Sequence, residues 1–145
     1  MKRIHRAAII GFSVLFTVGA PVSAAPFSGV AVFGDSLSDV GNIYQLTNSV
    51  SWLTGTVVPD APYVGGRFSN GPVWVEHVGA VLGHDASTPS FRGGNNYAVG
   101  GANTDTANAS LEDALGILSW LGEWGVLRQV VEYAQDNPNA PADRL

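Results

Sequence analysis

The distribution of apolar and polar positions along the chain predicts two short strands and a long irregular connection after the first of them. Residues 29–33, GVAVF, form an apolar run of strand length bounded by glycines, typical of a strand buried on both faces of a parallel sheet. Residues 95–104, NNYAVGGANT, predict a second strand that ends in a glycine pair. Residues 41–71 are rich in Gly, Pro, Ser, Asn and Thr and predict an irregular connection. This connection is either a substrate rim or a surface excursion held down by its own aromatic side chains.

Helical periodicity is found in three further segments. Residues 72–82 begin with a proline, which suits the first helical position, and Gly83 follows as a closing residue. The sequence SLED at 110–113 predicts a helix capped by its serine. A helix at 126–136 follows two glycines, which predict a break before it. The apolar residues at helical spacing are Trp74, Val78, Val81 and Leu82, then Leu111, Leu115 and Leu118, then Leu127, Val130, Val131 and Ala134.

The first 24 residues have the pattern of a secretory signal peptide. A basic start, MKRIHR, precedes an apolar run at 7–20 and the small-residue sequence VSA at 22–24. The run has no polar face, which excludes an amphipathic first helix, and it is short for a membrane span. We expect cleavage after Ala24, because cleavage one residue later leaves Pro26 directly beyond the bond. The mature chain, residues 25–145, is then secreted, periplasmic or part of the cell envelope, with no membrane span of its own.

Composition and charge narrow the possible functions. The 145 residues correspond to roughly one domain, and the absence of cysteine excludes disulfides, thiolate metal sites and a cysteine nucleophile. No histidine spacing predicts a metal site, and nothing calls for a cofactor. Without the signal peptide, the chain contains four arginines and twelve acidic residues, which gives a formal net charge of −8. Such a chain lacks the basic stripe that binding to nucleic acid requires, so we expect no nucleic-acid partner.

Candidate chemistry is concentrated at Gly34-Asp35-Ser36, directly after the first predicted strand. A serine on a sharp turn at the carboxyl edge of a sheet exposes its hydroxyl to a substrate. The backbone N–H groups of the turn then face the negative charge that develops in acyl transfer. The same three residue types are also the commonest turn formers, so the triplet alone leaves both interpretations open.

Longer segments resemble one known family. FGDSLSDVGN at 33–42 resembles the nucleophile block of the GDSL esterases and lipases, in the SGNH hydrolase superfamily. GRFSNGPVWVEHVG at 66–79 and NNYAVGGA at 95–102 resemble two later segments of secreted members, in the same order. The resemblance implies an α/β fold, a three-layer α/β/α sandwich around a parallel sheet, of which residues 25–145 form the amino-terminal part.

The resemblance also implies roles for individual residues. Ser36 becomes the nucleophile and gives one oxyanion N–H, and a second N–H comes from Gly101, with Gly100 as the alternative. We expect Gly34, Asp35, Asp39 and Asn42 to support the turn and the helix start. For the substrate rim we expect Phe68, Asn70 and Trp74.

Two further blocks of the family are not found in this sequence. A G-x-N-D block supplies a third oxyanion donor in the family, and a D-x-x-H block supplies the base and its acid, but residues 105–145 contain neither. We do not expect His77 or His84 to replace that base, because no acid is placed to orient either one.

We therefore expect a piece of a longer, secreted serine esterase or lipase that is inactive on its own. Its substrate is a small-molecule, lipid or carbohydrate ester. The alternatives are a non-catalytic module of the same fold that binds carbohydrate or lipid, and an exported structural domain in which Gly-Asp-Ser is only a turn.

Overall fold

The computed structural model describes residues 27–111 and 123–142. Within these ranges the chain forms helices α1 (Asn42–Ser49), α2 (Ser51–Thr54), α3 (Trp74–Leu82) and α4 (Val126–Asp136), with a 3-10 helix at Ser90–Arg92. Residues 109–111 are also helical. None of the helices in the described ranges is long and apolar enough to span a bilayer. The predicted signal peptide and most of the helix predicted from Ser110 lie outside the described residues.

The two predicted strands lie side by side over a short distance. The N–H of Val32 donates to the carbonyl of Asn95 at 2.9 Å, and the N–H of Tyr97 donates back to the carbonyl of Val32 at 2.7 Å. Val99 then donates to Gly34 at 3.1 Å. This alternation is that of a parallel pair. The pairing amounts only to isolated bridges in the described ranges, which contain no longer strand, so the parallel sheet stays a prediction.

Two apolar clusters lie on opposite sides of the segment 97–99. Ala98 belongs to the first and Val99 to the second, because successive residues of an extended chain point to opposite faces. The first cluster is formed by Val30, Val32, Val40, Val73, Val75, Ala86 and Ala98. The second contains Ile43, Val99 and Leu111, with Leu46, Val50, Val58, Phe68 and Trp124 packed against it.

The prediction of an irregular connection over residues 41–71 was wrong for its first half. Helices α1 and α2 occupy most of residues 42–54, and only the remainder is irregular. A helix starts there because the Asp39 carboxylate accepts the N–H groups of Gly41, Asn42 and Ile43, which are the groups that a helix start leaves unsatisfied.

Helix α3 ends as predicted, at Gly83 with φ +75°, but it begins at Trp74, two residues later than expected. Its first turn is fixed by the Glu76 carboxylate, which accepts the Val73 N–H at 2.8 Å. The predicted apolar face is largely the exposed one, and the buried residues are Val75 and Gly79. Gly79 decides this orientation, because a Cβ there would lie 2.7 Å from the Ala86 methyl group.

Helix α4 has the predicted bounds, 126–136, and follows Gly125 directly. Its predicted apolar face is exposed, however, and the buried residue is Gln129. The helix preceding it was expected to be capped by Ser110. Instead, the chain is already helical at 109, and the Asn108 side chain accepts the Leu111 N–H at 3.0 Å.

Candidate active site

A tight turn follows Gly34 and carries Ser36. The carbonyl of Asp35 accepts the N–H groups of Ser38 at 3.1 Å and Asp39 at 3.0 Å, and the Asp35 side chain accepts the Leu37 N–H at 3.0 Å. Ser36 is half-buried in this turn. Among the residues that the structure describes, neither its hydroxyl nor its backbone N–H has a hydrogen-bond partner. Both groups of Ser36 are therefore available to a ligand in this part of the chain.

Asp39 connects this turn to the glycine pair of the second predicted strand. One carboxylate oxygen accepts the N–H groups of Gly41 and Asn42, both at 2.7 Å. The other accepts Ile43 at 3.1 Å and Gly100 at 2.8 Å. The side chain is fully buried. Burial raises the pKa of Asp39, although the four backbone donors act in the opposite direction. Asp39 is thus a buried side chain that holds the start of α1 and Gly100 together, and it is not exposed as a proton carrier would be.

Asn42 holds α1 against the segment that precedes the glycine pair. Its amide nitrogen donates to the carbonyls of Asn96 at 2.7 Å and Ala98 at 2.9 Å. Its amide oxygen accepts from the Ser90 hydroxyl at 3.3 Å and the Phe91 N–H at 3.2 Å. All the hydrogen-bonding capacity of this buried amide is used, which suits a structural role.

The two candidate glycines differ in the state of their N–H groups. Gly100 donates its N–H to Asp39, and the ring of Phe68 lies so close that a Cβ at Gly100 would come within 2.2 Å of it. Gly101 has φ +79°, and its N–H has no partner among the described residues. The geometry therefore favours Gly101 over Gly100 as a donor to a ligand.

The parallel pairing places Ser36 and Gly101 beyond the same end of the two segments. Each lies two residues past the last paired position, which joins Gly34 and Val99. The carboxyl ends of parallel strands meet at one edge, where open α/β folds bind their ligands. We infer that Ser36 and Gly101 belong to one site.

The three residues expected at the substrate rim differ in how close they lie to the Ser36 turn. Phe68 lies over Gly100, and Trp74, which is 59% exposed, donates its indole N–H to the Ser38 hydroxyl at 3.2 Å. Trp74 therefore contacts the turn and Phe68 lies beside the glycine pair, whereas Asn70 is exposed on the connection between them.

An ion pair that the sequence pattern did not predict ties the rim to α3. Arg67 donates to both carboxylate oxygens of Glu76, at 2.8 and 2.7 Å. Burial raises the pKa of Glu76, but the bonds from Arg67 and from the Val73 N–H outweigh burial and bring it below its usual value. The two residues lie nine positions apart, across an irregular connection, so no periodic spacing could have indicated the pair.

Neither histidine of the described chain is bound to Ser36. His77 is exposed on α3, and the His84 Nε2 lies 2.7 Å from the carbonyl oxygen of Phe27. Across residues 27–111 and 123–142, no three acidic or histidine side chains are grouped so that they could hold a metal ion. Among the described residues, the candidate site thus consists of the Ser36 hydroxyl and the unpartnered backbone N–H groups of Ser36 and Gly101.

Two buried amides near the turn were missed by the sequence reasoning. Asn96 donates to the carbonyls of Ser38 at 2.9 Å and Ala86 at 3.1 Å. Gln129, on α4, bonds to both backbone groups of Gly34. Hydrophobic periodicity gives no signal for a buried amide, because such a residue resembles a solvated one in the pattern.

A cavity of about 440 Å³ lies beside α1 rather than at Ser36. Its lining residues include Tyr44, Tyr63, Arg67 and Arg92. Ser36 and Gly101 are not among its lining residues. The candidate active site is therefore defined by the unpartnered groups of Ser36 and Gly101 and not by this cavity.

Comparison with known proteins gives matches over most of the chain. Residues 30–142 match the family model described as GDSL-like Lipase/Acylhydrolase. The phosphatidylcholine-sterol acyltransferase of Aeromonas hydrophila is 46% identical over 65 residues, which cover 45% of this chain and 18% of that protein. Acetylajmalan esterase 2 of Rauvolfia serpentina is 34% identical over 122 residues, covering 74% of this chain and 33% of the relative. A GDSL esterase/lipase of Arabidopsis thaliana is 29% identical over 113 residues, covering 70% and 29%. The chain thus spans a third or less of the length of these three relatives.

Proposed function

The chain belongs to the GDSL-like lipase/acylhydrolase family, and on that premise we propose that it carries the nucleophile of a secreted serine ester hydrolase. The family implies an α/β fold, and we propose the three-layer α/β/α sandwich with a parallel sheet for the whole domain. One observation carries the functional proposal. Ser36 has an unpaired hydroxyl and an unpaired N–H among the described residues, and the unpaired N–H of Gly101 lies beyond the same end of the paired segments.

In the proposed reaction, the Ser36 Oγ attacks the carbonyl carbon of an ester and passes its proton to a general base. The carbonyl oxygen becomes an oxyanion, which the N–H groups of Ser36 and Gly101 stabilise. The ester C–O bond then breaks, the leaving alcohol takes the proton, and an acyl-enzyme remains. Water, with the base accepting its proton, releases the acid and restores the Ser36 hydroxyl.

The arrangement of the complete protein is also a proposal. We propose that residues 1–24 are a signal peptide and that residues 25–145 form the amino-terminal part of the hydrolase domain. The base, its orienting acid and an asparagine donor then come from a downstream portion of that domain. The small share of each relative that the chain covers supports this proposal. We then expect the polypeptide of 145 residues to be inactive on its own, because residues 105–145 contain no D-x-x-H block to supply a base for Ser36.

For the substrate, we propose an ester whose acyl or alcohol part contacts Phe68 and Trp74. Trp74 donates to Ser38 in the Ser36 turn and Phe68 lies over Gly100, and the partly exposed indole of Trp74 offers an apolar surface to a ligand. Asn70 is the polar member of this proposed rim. The names of the relatives span acyl transfer from a lipid and hydrolysis of an acetyl ester, and both pass through attack on an ester carbonyl.

The test is ester hydrolysis by the protein at its complete natural length, with Ser36→Ala and Ser49→Ala compared. Ser49 is an exposed serine whose hydroxyl donates only to the Leu46 carbonyl, so it is a matched control. Loss of the nucleophile is expected to lower kcat by about 10⁴- to 10⁶-fold. Retained hydrolysis in Ser36→Ala contradicts the proposal. Absence of hydrolysis with retained binding of lipid or carbohydrate favours a non-catalytic module.

A further inference from the structure

Gln129 is a fully buried polar side chain on a helix whose apolar residues Leu127, Val130 and Val131 are exposed. Its amide oxygen accepts the Gly34 N–H at 2.9 Å, and its amide nitrogen donates to the Gly34 carbonyl at 2.9 Å. The same nitrogen donates to the Trp124 carbonyl at 3.2 Å. The side chain thus pairs with Gly34 as a neighbouring strand would, using one donor and one acceptor.

The backbone of Gly34, which Gln129 holds, is in an unusual conformation. Its φ is +145°, in a region that side chains rarely allow, and it is the point where the extended segment becomes the Ser36 turn. On one side, its carbonyl accepts the Val99 N–H at 3.1 Å. On the other side, Gln129 holds both of its backbone groups. The residue two positions before the proposed nucleophile is therefore clamped from two directions.

The helix that carries Gln129 is itself anchored to the segment that follows Gly101. Gly125 donates its N–H to the Thr106 carbonyl at 2.9 Å, and Val126 donates to the Asn103 carbonyl at 2.8 Å. A Cβ at Gly125 would come within 2.2 Å of the Asp105 carbonyl oxygen, so only glycine permits this approach. Gln129 therefore links the Ser36 turn to the segment that directly follows the other proposed oxyanion donor.

We propose that Gln129 is a positioning residue, which fixes the Gly34 backbone and so aims Ser36 at the ester carbonyl. This inference rests on the proposed function of Ser36. Gln129 touches no reacting atom and acts only through Gly34. Misplacement of a reacting group by about 1 Å costs on the order of 100-fold in rate. Removal of the clamp is thus expected to lower kcat about 10- to 100-fold and to leave KM within about threefold.

The most informative variant is Gln129→Glu, because its charge state decides whether the clamp exists. A protonated glutamic acid can accept the Gly34 N–H and donate to the Gly34 carbonyl. An ionised one can only accept, and it turns an oxygen toward the carbonyls of Gly34 and Trp124. A buried carboxyl beside carbonyl oxygens keeps its proton to a higher pH than an exposed one. The ratio of variant to wild-type kcat is therefore expected to rise as the pH falls, whereas a purely structural defect changes KM and the folded fraction instead.

The experiment measures kcat, KM and the rate of Ser36 labelling by a fluorophosphonate in the protein at its complete natural length. Gln129→Glu and Gln129→Leu are compared with Gln135→Glu and Gln135→Leu, which change an exposed glutamine on the same helix. Circular dichroism at each pH gives the folded fraction. The proposal predicts slower labelling and lower kcat per folded molecule in both Gln129 variants, with the pH-dependent ratio confined to Gln129→Glu.

Two results would overturn the inference, and they differ in whether the proposed function of Ser36 also fails. If wild type is labelled at Ser36 and Gln129→Glu matches it per folded molecule at every pH, Gln129 does not position the nucleophile and the proposed function stands. If wild type is not labelled at Ser36, the proposed function fails and the inference fails with it. Should Gln129→Leu not fold, the pH series on Gln129→Glu decides alone.

Discussion

Replacing Asp39 with asparagine is expected to destabilise the protein strongly, although the two side chains have nearly the same shape. Each carboxylate oxygen accepts two backbone N–H groups, one pair from Gly41 and Asn42 and the other from Ile43 and Gly100. An amide has one oxygen, so either orientation turns an NH₂ group toward two buried N–H groups. A buried donor without a partner costs about 1 to 3 kcal/mol, so the pair costs about 2 to 6 kcal/mol. That is a large share of the about 5 to 15 kcal/mol that stabilises a typical domain.

Urea unfolding of the complete protein at pH 7 measures this loss, with tryptophan fluorescence and circular dichroism as independent signals. Asp105→Asn is the matched control, since this exposed aspartate accepts a single side-chain bond, from the Ala107 N–H at 2.8 Å, and an amide oxygen can keep it. We expect the control to change the free energy of unfolding by less than about 0.5 kcal/mol. Equal stability of Asp39→Asn and Asp105→Asn would refute the reasoning, because it would mean that the four bonds to Asp39 are not worth more than one exposed bond.

Two further predictions concern the charges that the structure pairs. Glu76→Gln removes the charge that faces Arg67 and is expected to cost about 1 to 2 kcal/mol at pH 7. Because the folded pKa of Glu76 is lowered, this contribution is present above the usual pKa of 4.5 and disappears as the pH falls through the folded value. A loss of stability that persists at pH 2 would contradict the assignment. Burial and the hydrogen bond to Asp136 raise the pKa of Tyr97 to about 12, so wild type loses stability as the pH rises from 10 toward 12. Absorbance titration at about 295 nm is expected to show one late tyrosine that Tyr97→Phe removes, and an unchanged titration curve in that variant argues against the placement of Tyr97.

Sequence patterns predicted those features that depend on local signals. The bounds of α4 and the end of α3 follow from glycines next to periodic segments, and the structure confirms both. The composition of residues 41–71 suggested a loop and so missed helices α1 and α2, although the family resemblance had implied a helix start near Asp39 and Asn42. A side chain that stands two to four residues before the first N–H groups of a helix can accept their hydrogen bonds. A helix can then start where the composition disfavours one.

Burial was predicted less well than helix position. In α3 and α4 the sequence indicated the apolar residues as the inner face, yet Gly79 and Gln129 are buried there and Val81 is 87% exposed. Periodicity cannot identify a face that is chosen by close backbone approach or by an amide bond to another segment. The placement of Gly101 relative to Ser36 likewise depends on the pairing of segments more than 60 positions apart, which no local signal reports.

The central claim is that the Ser36 hydroxyl is the nucleophile, and covalent labelling tests it most directly. The protein at its complete natural length is treated with a fluorophosphonate, digested and analysed by tandem mass spectrometry. The account predicts one adduct per molecule on Ser36, formed faster than on any other serine and absent from Ser36→Ala. An adduct on a different serine, or folded protein that gains no adduct at Ser36, would contradict it.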